Sequence, residues 1–184
     1  MLLNPGKNFT FNGQTYQYPN IKLVYWAGGN PFHHQMNLSK LRKATFKPDT
    51  IITNEIWWNS LARHADIIFP TTTSLERNDI GFRHWEQTVS PMHKAIDPIG
   101  NSRNDFDIFS LISEKLGIKE QFTENKNEEE WLKTLWDEAK ESARENNFYL
   151  PDFDEFWNGG FFEVLKPTHE QILMEDFVKK PKQF

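Results

Sequence analysis

Apolar residues in the first half of the chain come in short bursts, each closed by a turn former. Leu23-Val24-Tyr25-Trp26, entered from Ile21, reads as a strand that runs into Ala27-Gly28-Gly29-Asn30-Pro31. Thr50-Ile51-Ile52-Thr53 reads as a second strand, and Asp66-Ile67-Ile68-Phe69, ended by Pro70, as a third. Between the first two, Leu38, Leu41 and Ala44-Thr45 recur at three- and four-residue steps. That is the spacing of a helix over 38–46, stopped by Pro48-Asp49. Residues 57–64 fit a shorter helix. Strands alternating with helices predict βαβ units and a parallel sheet. Right-handed crossovers then bring the loops after Trp26, Thr53 and Phe69 to one edge of that sheet, where α/β folds bind ligands.

The flanking segments have a different rhythm. Residues 1–20 read as a connector rich in turn formers, Asn4-Pro5-Gly6, Asn12-Gly13 and Pro19-Asn20. Phe9-Thr10-Phe11 and Gln14-Thr15-Tyr16 on either side of Asn12-Gly13 predict a small hairpin. Beyond Ile80 the pattern becomes helical, with one more strand at 92–96. A helix over 104–116 is capped by Asn104 or Ser102 and ended by Gly117. A long helix over 128–145 starts at an Asn127 and Glu130 cap and carries Trp131, Leu135 and Ala139 on one face. A helical turn at 153–157 precedes Gly159-Gly160, and residues 164–184 show little period and two prolines. The predicted fold is α/β: a parallel-sheet, Rossmann-like, three-layer domain over 21–165 with additional C-terminal helices, followed by a linker over 166–184.

Composition narrows the function classes. A chain of 184 residues holds one ordinary domain, with or without an appendage, and 7 Trp with 16 Phe exclude a disordered chain. A net charge of -5 without a basic run argues against a nucleic-acid partner. The absence of cysteine excludes disulfides and thiolate metal ligands. Residues 1–18 lack the basic start and apolar core of a signal peptide, and no apolar run approaches the roughly 20 residues of a membrane span.

Each candidate site has a plainer reading beside it. Gly28 and Gly29 let a backbone approach a large polar ligand closely, or simply make a turn. No third glycine opens the next helix, so this is not the GxGxxG fingerprint of a nicotinamide dinucleotide site. Asn54 and Glu55, at the end of the second strand, can bond a ribose or a base edge, or can be solvated loop residues. Thr71-Thr72-Thr73-Ser74 and Arg77 offer donors to phosphate oxygens, or form a polar helix cap. Arg63-His64-Ala65-Asp66 reads as a local cap or ion pair. His33 and His34 are adjacent, so in an extended segment they point opposite ways and do not chelate one metal. No nucleophile elbow or HExxH pattern is present, so neither catalytic nor metal-ligating residues are assigned.

In order and spacing, three segments resemble the molybdopterin oxidoreductases. They are Tyr25-Trp26-Ala27-Gly28-Gly29-Asn30-Pro31-Phe32-His33-His34, Ala62-Arg63-His64-Ala65-Asp66-Ile67-Ile68-Phe69-Pro70 and Thr72-Thr73-Ser74-Leu75-Glu76-Arg77-Asn78-Asp79-Ile80. Met92-His93-Lys94-Ala95-Ile96-Asp97-Pro98 and Asn104-Asp105-Phe106-Asp107-Ile108-Phe109 continue the likeness, which covers roughly residues 20–175. The branch resembled is that of the dimethyl sulfoxide, trimethylamine N-oxide and biotin sulfoxide reductases. Gln35-Met36-Asn37 departs from the His-Gln-Asp common there, as Asn54 does from His and Glu55 from Asp.

The resemblance implies part of a larger molybdenum enzyme that reduces a small S-oxide or N-oxide. Such enzymes carry molybdenum on two molybdopterin guanine dinucleotides. The segment here is similar to their third domain, which helps hold one dinucleotide; the metal-ligating serine lies in an earlier part, and a further domain follows. Carried over residue by residue, the cofactor-binding positions are Gly28, Gly29, Asn30, His34, Asn54, Glu55 and Arg77. The implied partners are the cofactor and the remaining domains, with exposed apolar patches and self-association expected of the isolated chain. The implied compartment is the periplasm, the cytoplasm being the alternative. A stand-alone nucleotide-binding or assembly module of the same fold, without reductase activity, is the competing reading, because fold alone does not determine function.

Overall fold

A computed structural model describes residues 1–82, 88–164 and 173–181. In chain order the elements are β1 (Asn8–Phe11), β2 (Gln14–Gln17), β3 (Leu23–Ala27), α1 (Pro31–His34), α2 (Leu38–Thr45), β4 (Thr50–Glu55), a 3-10 turn (Ala62–His64) and β5 (Ile67–Pro70). There follow β6 (Asp79–Phe82), β7 (Thr88–Met92), α3 (Asp105–Lys115), α4 (Lys119–Thr123), α5 (Glu128–Glu145), α6 (Phe153–Gly159), β8 (Phe162–Glu163) and α7 (Glu175–Lys179). The chain divides into two units, one of residues 1–78 and 93–128, the other of 79–92 and 129–184. Of the expected linker over 166–184, residues 173–181 are described, and within them α7 is helical.

The first unit is built on a three-stranded parallel sheet of order β3-β4-β5. Leu23 pairs with Thr50 and Ala27 with Asn54; Ile52 pairs with Ile67 and Glu55 with Pro70. β4 is central and buries Ile51, Thr53 and Asn54. Thr53 is wholly inaccessible (0 % exposed), and its hydroxyl donates to the Trp26 carbonyl at 3.0 Å, so the buried polar atom is satisfied. Asp66 sets the start of β5: its carboxylate accepts the Ile51 amide at 2.7 Å and its own amide donates to the Ile51 carbonyl at 2.9 Å. Thr71 adds a parallel bridge to Arg103 beyond β5. α3 starts where Asn104 accepts the Asp107 amide at 2.7 Å, as the cap signal predicts. β1 and β2 form the expected hairpin, with Asn12 and Gly13 both at positive φ.

The second unit carries an antiparallel sheet of order β6-β7-β8 and a core of Val89, Trp136, Leu150 and Phe156. Leu132 and Trp136, four residues apart on α5, are its buried positions. The Trp136 ring stacks on Phe156 with centroids 3.7 Å apart, and its indole N–H donates to the Pro151 carbonyl at 2.9 Å. Together the two sheets and the C-terminal helices make a mixed α/β fold consistent with a Rossmann-like layered domain.

Three local expectations differ from the structure. Residues 57–61 are not helical; only the 3-10 turn Ala62–His64 forms. The reason is competition from side chains: Glu55 accepts the Ile56 and Trp57 amides and Asn59 accepts those of Leu61 and Ala62, holding this stretch as a loop. The strand expected at 92–96 instead ends at Met92, and it pairs antiparallel with β6 in a region that reads as helical. Ala95 and Ile96 donate to the Leu75 carbonyl rather than to a ladder. Short antiparallel pairs rest on cross-strand packing, which period alone does not reveal.

Phe156→Ala is expected to cost about 3 kcal/mol by emptying the centre of the second unit's core. Urea unfolding followed by tryptophan fluorescence checks this; a loss below about 1 kcal/mol would show that Trp136 does not depend on that stack.

Candidate functional site

Because both strand pairs are parallel, the chain leaves β3, β4 and β5 at one edge of the sheet. The three exit loops enclose a cleft of about 420 Å³. Gly28, Gly29 and Asn30 form one side, Asn54 and Glu55 the floor beside Ile56 and Asn59, and residues 71–74 with Arg77 and Asp105 the other side.

Gly28 and Gly29 adopt φ of +80° and +74°, the left-handed region in which a Cβ is strained. A Cβ on Gly28 would meet nothing within 4 Å, so backbone conformation rather than crowding demands glycine there. The double left-handed turn delivers Asn30 as the cap of α1, its carboxamide oxygen accepting the Phe32 amide at 3.0 Å, with Pro31 in the first helical position. Phe32 then stacks on His64 at 4.4 Å between ring centroids, tying the turn to the 3-10 segment. His64 also bonds the Ser60 carbonyl through Nδ1, a local contact that anchors the 3-10 turn.

The floor is a polar relay. The Tyr25 hydroxyl donates to Asn54 Oδ1 at 2.8 Å, Asn54 Nδ2 donates to Asp105 at 2.6 Å, and the Thr71 hydroxyl donates to the same Asp105 oxygen at 3.2 Å. Burial, and then the Asp105 charge, push the Tyr25 phenol above its ordinary pKa, with the Asn54 bond acting the other way. The phenol therefore stays a donor, and the Asn54 amide is held in one orientation. Glu55 takes the Ile56 and Trp57 amides on one oxygen and the Asn59 side chain on the other at 2.7 Å. Each carboxylate oxygen has two lone pairs, so Glu55 organises its own loop and keeps acceptor capacity toward the cleft.

The far wall depends on Glu76, a buried acid. Its carboxylate accepts the Thr73 amide at 2.7 Å, the Ile99 amide at 2.6 Å and the Thr73 hydroxyl at 2.8 Å, with Ser102 Oγ at 3.4 Å. These bonds, the Thr73 amide first, hold its pKa down to about 2 against the burial that would raise it. Arg77 donates to the Thr72 carbonyl at 3.0 Å and so fastens the same loop. Two buried polar atoms of residues that line the cleft, Asn30 Nδ2 and Thr72 Oγ1, have no hydrogen-bond partner among the described residues.

Six of the predicted site residues, Gly28, Gly29, Asn30, Asn54, Glu55 and Arg77, thus share one cleft. His34 does not; it is exposed at the end of α1, outside the lining. Sequence reasoning did not single out Asp105 or Glu76. The Thr73-Ser74-Leu75-Glu76 spacing is a capping-box signal for Glu76, and Asp105 directly follows the Asn104 cap. Among the described residues no cluster of His, Asp or Glu is arranged to hold a metal, and no helix is long and apolar enough to cross a membrane.

A parallel sheet with a polar cleft at its carboxyl edge defines an α/β unit of the Rossmann-like class, a class that binds ligands at that edge. The sequence profile of the molybdopterin oxidoreductases matches residues 2–115. The chain belongs to the molybdopterin oxidoreductase family, in the branch of the dimethyl sulfoxide, trimethylamine N-oxide and biotin sulfoxide reductases. It is 43% identical over 161 residues to the biotin sulfoxide reductase of Cereibacter sphaeroides, covering 87% of this chain and 22% of that protein. It is 43% identical over 165 residues to the dimethyl sulfoxide/trimethylamine N-oxide reductase of the same organism, covering 89% and 20%. With the trimethylamine-N-oxide reductase of Haemophilus influenzae the identity is 45% over 159 residues, covering 85% and 19%. The chain therefore spans about a fifth of the length of these relatives. Acetylene hydratase from Pelobacter acetylenicus shares the fold, with a TM-score of 0.61 at 16% identity over 82% of this chain and 19% of that one.

Gly28→Ala is expected to destabilise the first unit by about 1–2 kcal/mol, the cost of a left-handed alanine, measured as a shift in the urea midpoint. An unchanged midpoint would mean the turn can rearrange. Glu76 makes stability depend on acid. Its folded pKa, about 2, lies below the ordinary 4.5, so its stabilising contribution is complete above pH 4.5 and is lost as pH falls toward 2. Glu76→Gln should lower stability at neutral pH and flatten its decline across that window, as urea midpoints measured against pH would report.

Proposed function

We propose that this chain supplies one wall of a molybdopterin guanine dinucleotide site in a molybdenum-dependent S-oxide or N-oxide reductase. The observation that carries the reading is the convergence of Gly28, Gly29, Asn30, Asn54, Glu55 and Arg77 on one polar cleft. Family membership supports it, since the similar proteins reduce biotin sulfoxide, dimethyl sulfoxide or trimethylamine N-oxide.

The donor set of the cleft fits such a ligand. Glu55 and Asp105 are acceptors suited to the N–H groups of a guanine edge or to ribose hydroxyls. Residues 71–74 and the Arg77 guanidinium are donors suited to phosphate oxygens. Asn30 Nδ2 on the glycine-turn side and Thr72 Oγ1 on the hydroxyl-rich side are buried polar atoms still lacking a polar partner. A volume of about 420 Å³ is within the usual range for a bound small molecule and suits part of a dinucleotide.

When bound, the cofactor supplies the two-electron redox chemistry that converts an S-oxide to a sulfide or an N-oxide to an amine. The residues of this chain bind and orient. The Tyr25–Asn54–Asp105 relay presents a fixed pattern of acceptors, and the glycine turn allows close backbone approach. His34, which the resemblance places close to the dinucleotide, would need a ligand that extends beyond the cleft.

Titration with guanosine diphosphate tests the reading. Asn30→Ala and Glu55→Ala should each weaken binding about tenfold or more, the scale of a lost hydrogen bond to a charged or buried group. Equal affinity in folded variants would overturn the assignment. The chain alone is expected to give no turnover with dimethyl sulfoxide or trimethylamine N-oxide and a reduced dye; a measurable rate would overturn the view that other parts of the enzyme hold the reacting centre.

A further inference from the structure

We propose that Glu76 is a positioning residue of the cleft, its ionised carboxylate setting the spacing between the 71–74 wall and the 99–102 turn that leads into α3. For its functional consequence this rests on the nucleotide reading above; as a statement about geometry it stands independently.

The chain leaves the first unit after Asn78 and re-enters it at His93. The returning strand of chain must be fixed if Asp105 is to face the cleft. Several bonds do this. Lys94 N donates to Asn78 Oδ1 at 2.9 Å, Ala95 N and Ile96 N donate to the Leu75 carbonyl at 2.8 and 3.1 Å, and Thr72 N donates to the Arg103 carbonyl at 3.1 Å. Glu76 adds a buried side-chain bridge between the segment at 71–78 and the returning segment at 99–102. One oxygen holds Thr73 through its amide and hydroxyl; the other holds the Ile99 amide.

The charge is essential to that arrangement. The carboxylate faces donors on both oxygens, so an acceptor-only group satisfies all of them. A glutamine amide at the same place would turn its NH2 toward the Thr73 or the Ile99 N–H, leaving one buried amide without an acceptor. Thr71 and Thr72 stay bonded to Arg103 and Asp105 without it, so loss of either Glu76 bond loosens Thr73 relative to the Ile99 turn and with it the far end of the wall. Because the carboxylate is not among the residues lining the cleft, it acts through Thr73 and the start of α3.

The test uses the full chain. Amide hydrogen exchange at Thr73 and Ile99 is read by NMR, alongside affinity for guanosine diphosphate, in wild type, Glu76→Gln and Glu114→Gln. The last removes an exposed carboxylate paired with Lys119 at 2.7 Å. Glu76→Gln should lose protection at Thr73 or Ile99 at least tenfold and bind the nucleotide about tenfold more weakly, with circular dichroism unchanged. Glu114→Gln should leave both readouts within twofold. Unchanged exchange at both amides in Glu76→Gln overturns the clamp. Altered exchange with unchanged affinity overturns its positioning role. Failure of the wild type to bind guanosine diphosphate overturns the nucleotide reading instead, while exchange still tests the clamp. Should Glu76→Gln not fold, Glu76→Asp keeps the charge but shortens the reach by one methylene; full protection of both amides in that variant overturns the proposal.

Discussion

Parallel pairing on both sides of β4 is the constraint from which the rest of the first unit follows. A parallel neighbour on each side sends every chain exit to the same edge, so three loops distant in sequence are forced together. Burial of β4 makes the register costly to shift, since a one-residue slip would turn Ile51 and Thr53 outward. The hydrogen bond from the Thr53 hydroxyl to Trp26 and the pair of hydrogen bonds between Asp66 and Ile51 pin the two pairings. A polar cleft at that edge is the consequence of this registration.

Within the cleft, charged and polar groups serve two purposes at once. Glu55 and Asn59 hold their loop against helix formation, and the same Glu55 presents acceptor oxygens to the cleft. Asp105 fixes the Asn54 amide while sitting in the first turn of α3, where a carboxylate is favoured by the helix dipole. Glu76 carries the purely internal load. Trp57 and Trp58, 69 % and 66 % exposed, project from the loop that Glu55 and Asn59 hold.

Family membership and geometry contribute different things. Similarity at 43% identity assigns the branch, but the similar proteins differ among themselves in substrate. The cleft contributes the ligand chemistry: acceptors on the floor, hydroxyl and guanidinium donors on one side, a left-handed glycine turn on the other. A shared fold with acetylene hydratase at 16% identity shows how far this architecture extends.

Local chemistry was legible in the chain itself. The apolar bursts at Leu23, Ile51 and Ile67 are period signals, the Asn12-Gly13 and Gly28-Gly29 turns need backbone freedom, and Asn104 announces its helix; all act over a few residues. From them follow the parallel sheet, the edge at which the cleft opens and most of the residues lining it. What only the tertiary structure decided depends on contacts between distant segments. Side-chain bonds from Glu55 and Asn59 overrode the helix expected at 57–64, and cross-strand packing made β6 and β7 where a helical pattern was read. The engagement of Asn54 with Asp105, 51 residues away, and of Glu76 with Ile99 are long-range hydrogen bonds with no local periodicity. His34, at the exposed end of α1, is not among the residues lining the cleft; its place after the glycine turn is a matter of sequence, whereas which side chains line the cleft is a matter of tertiary structure.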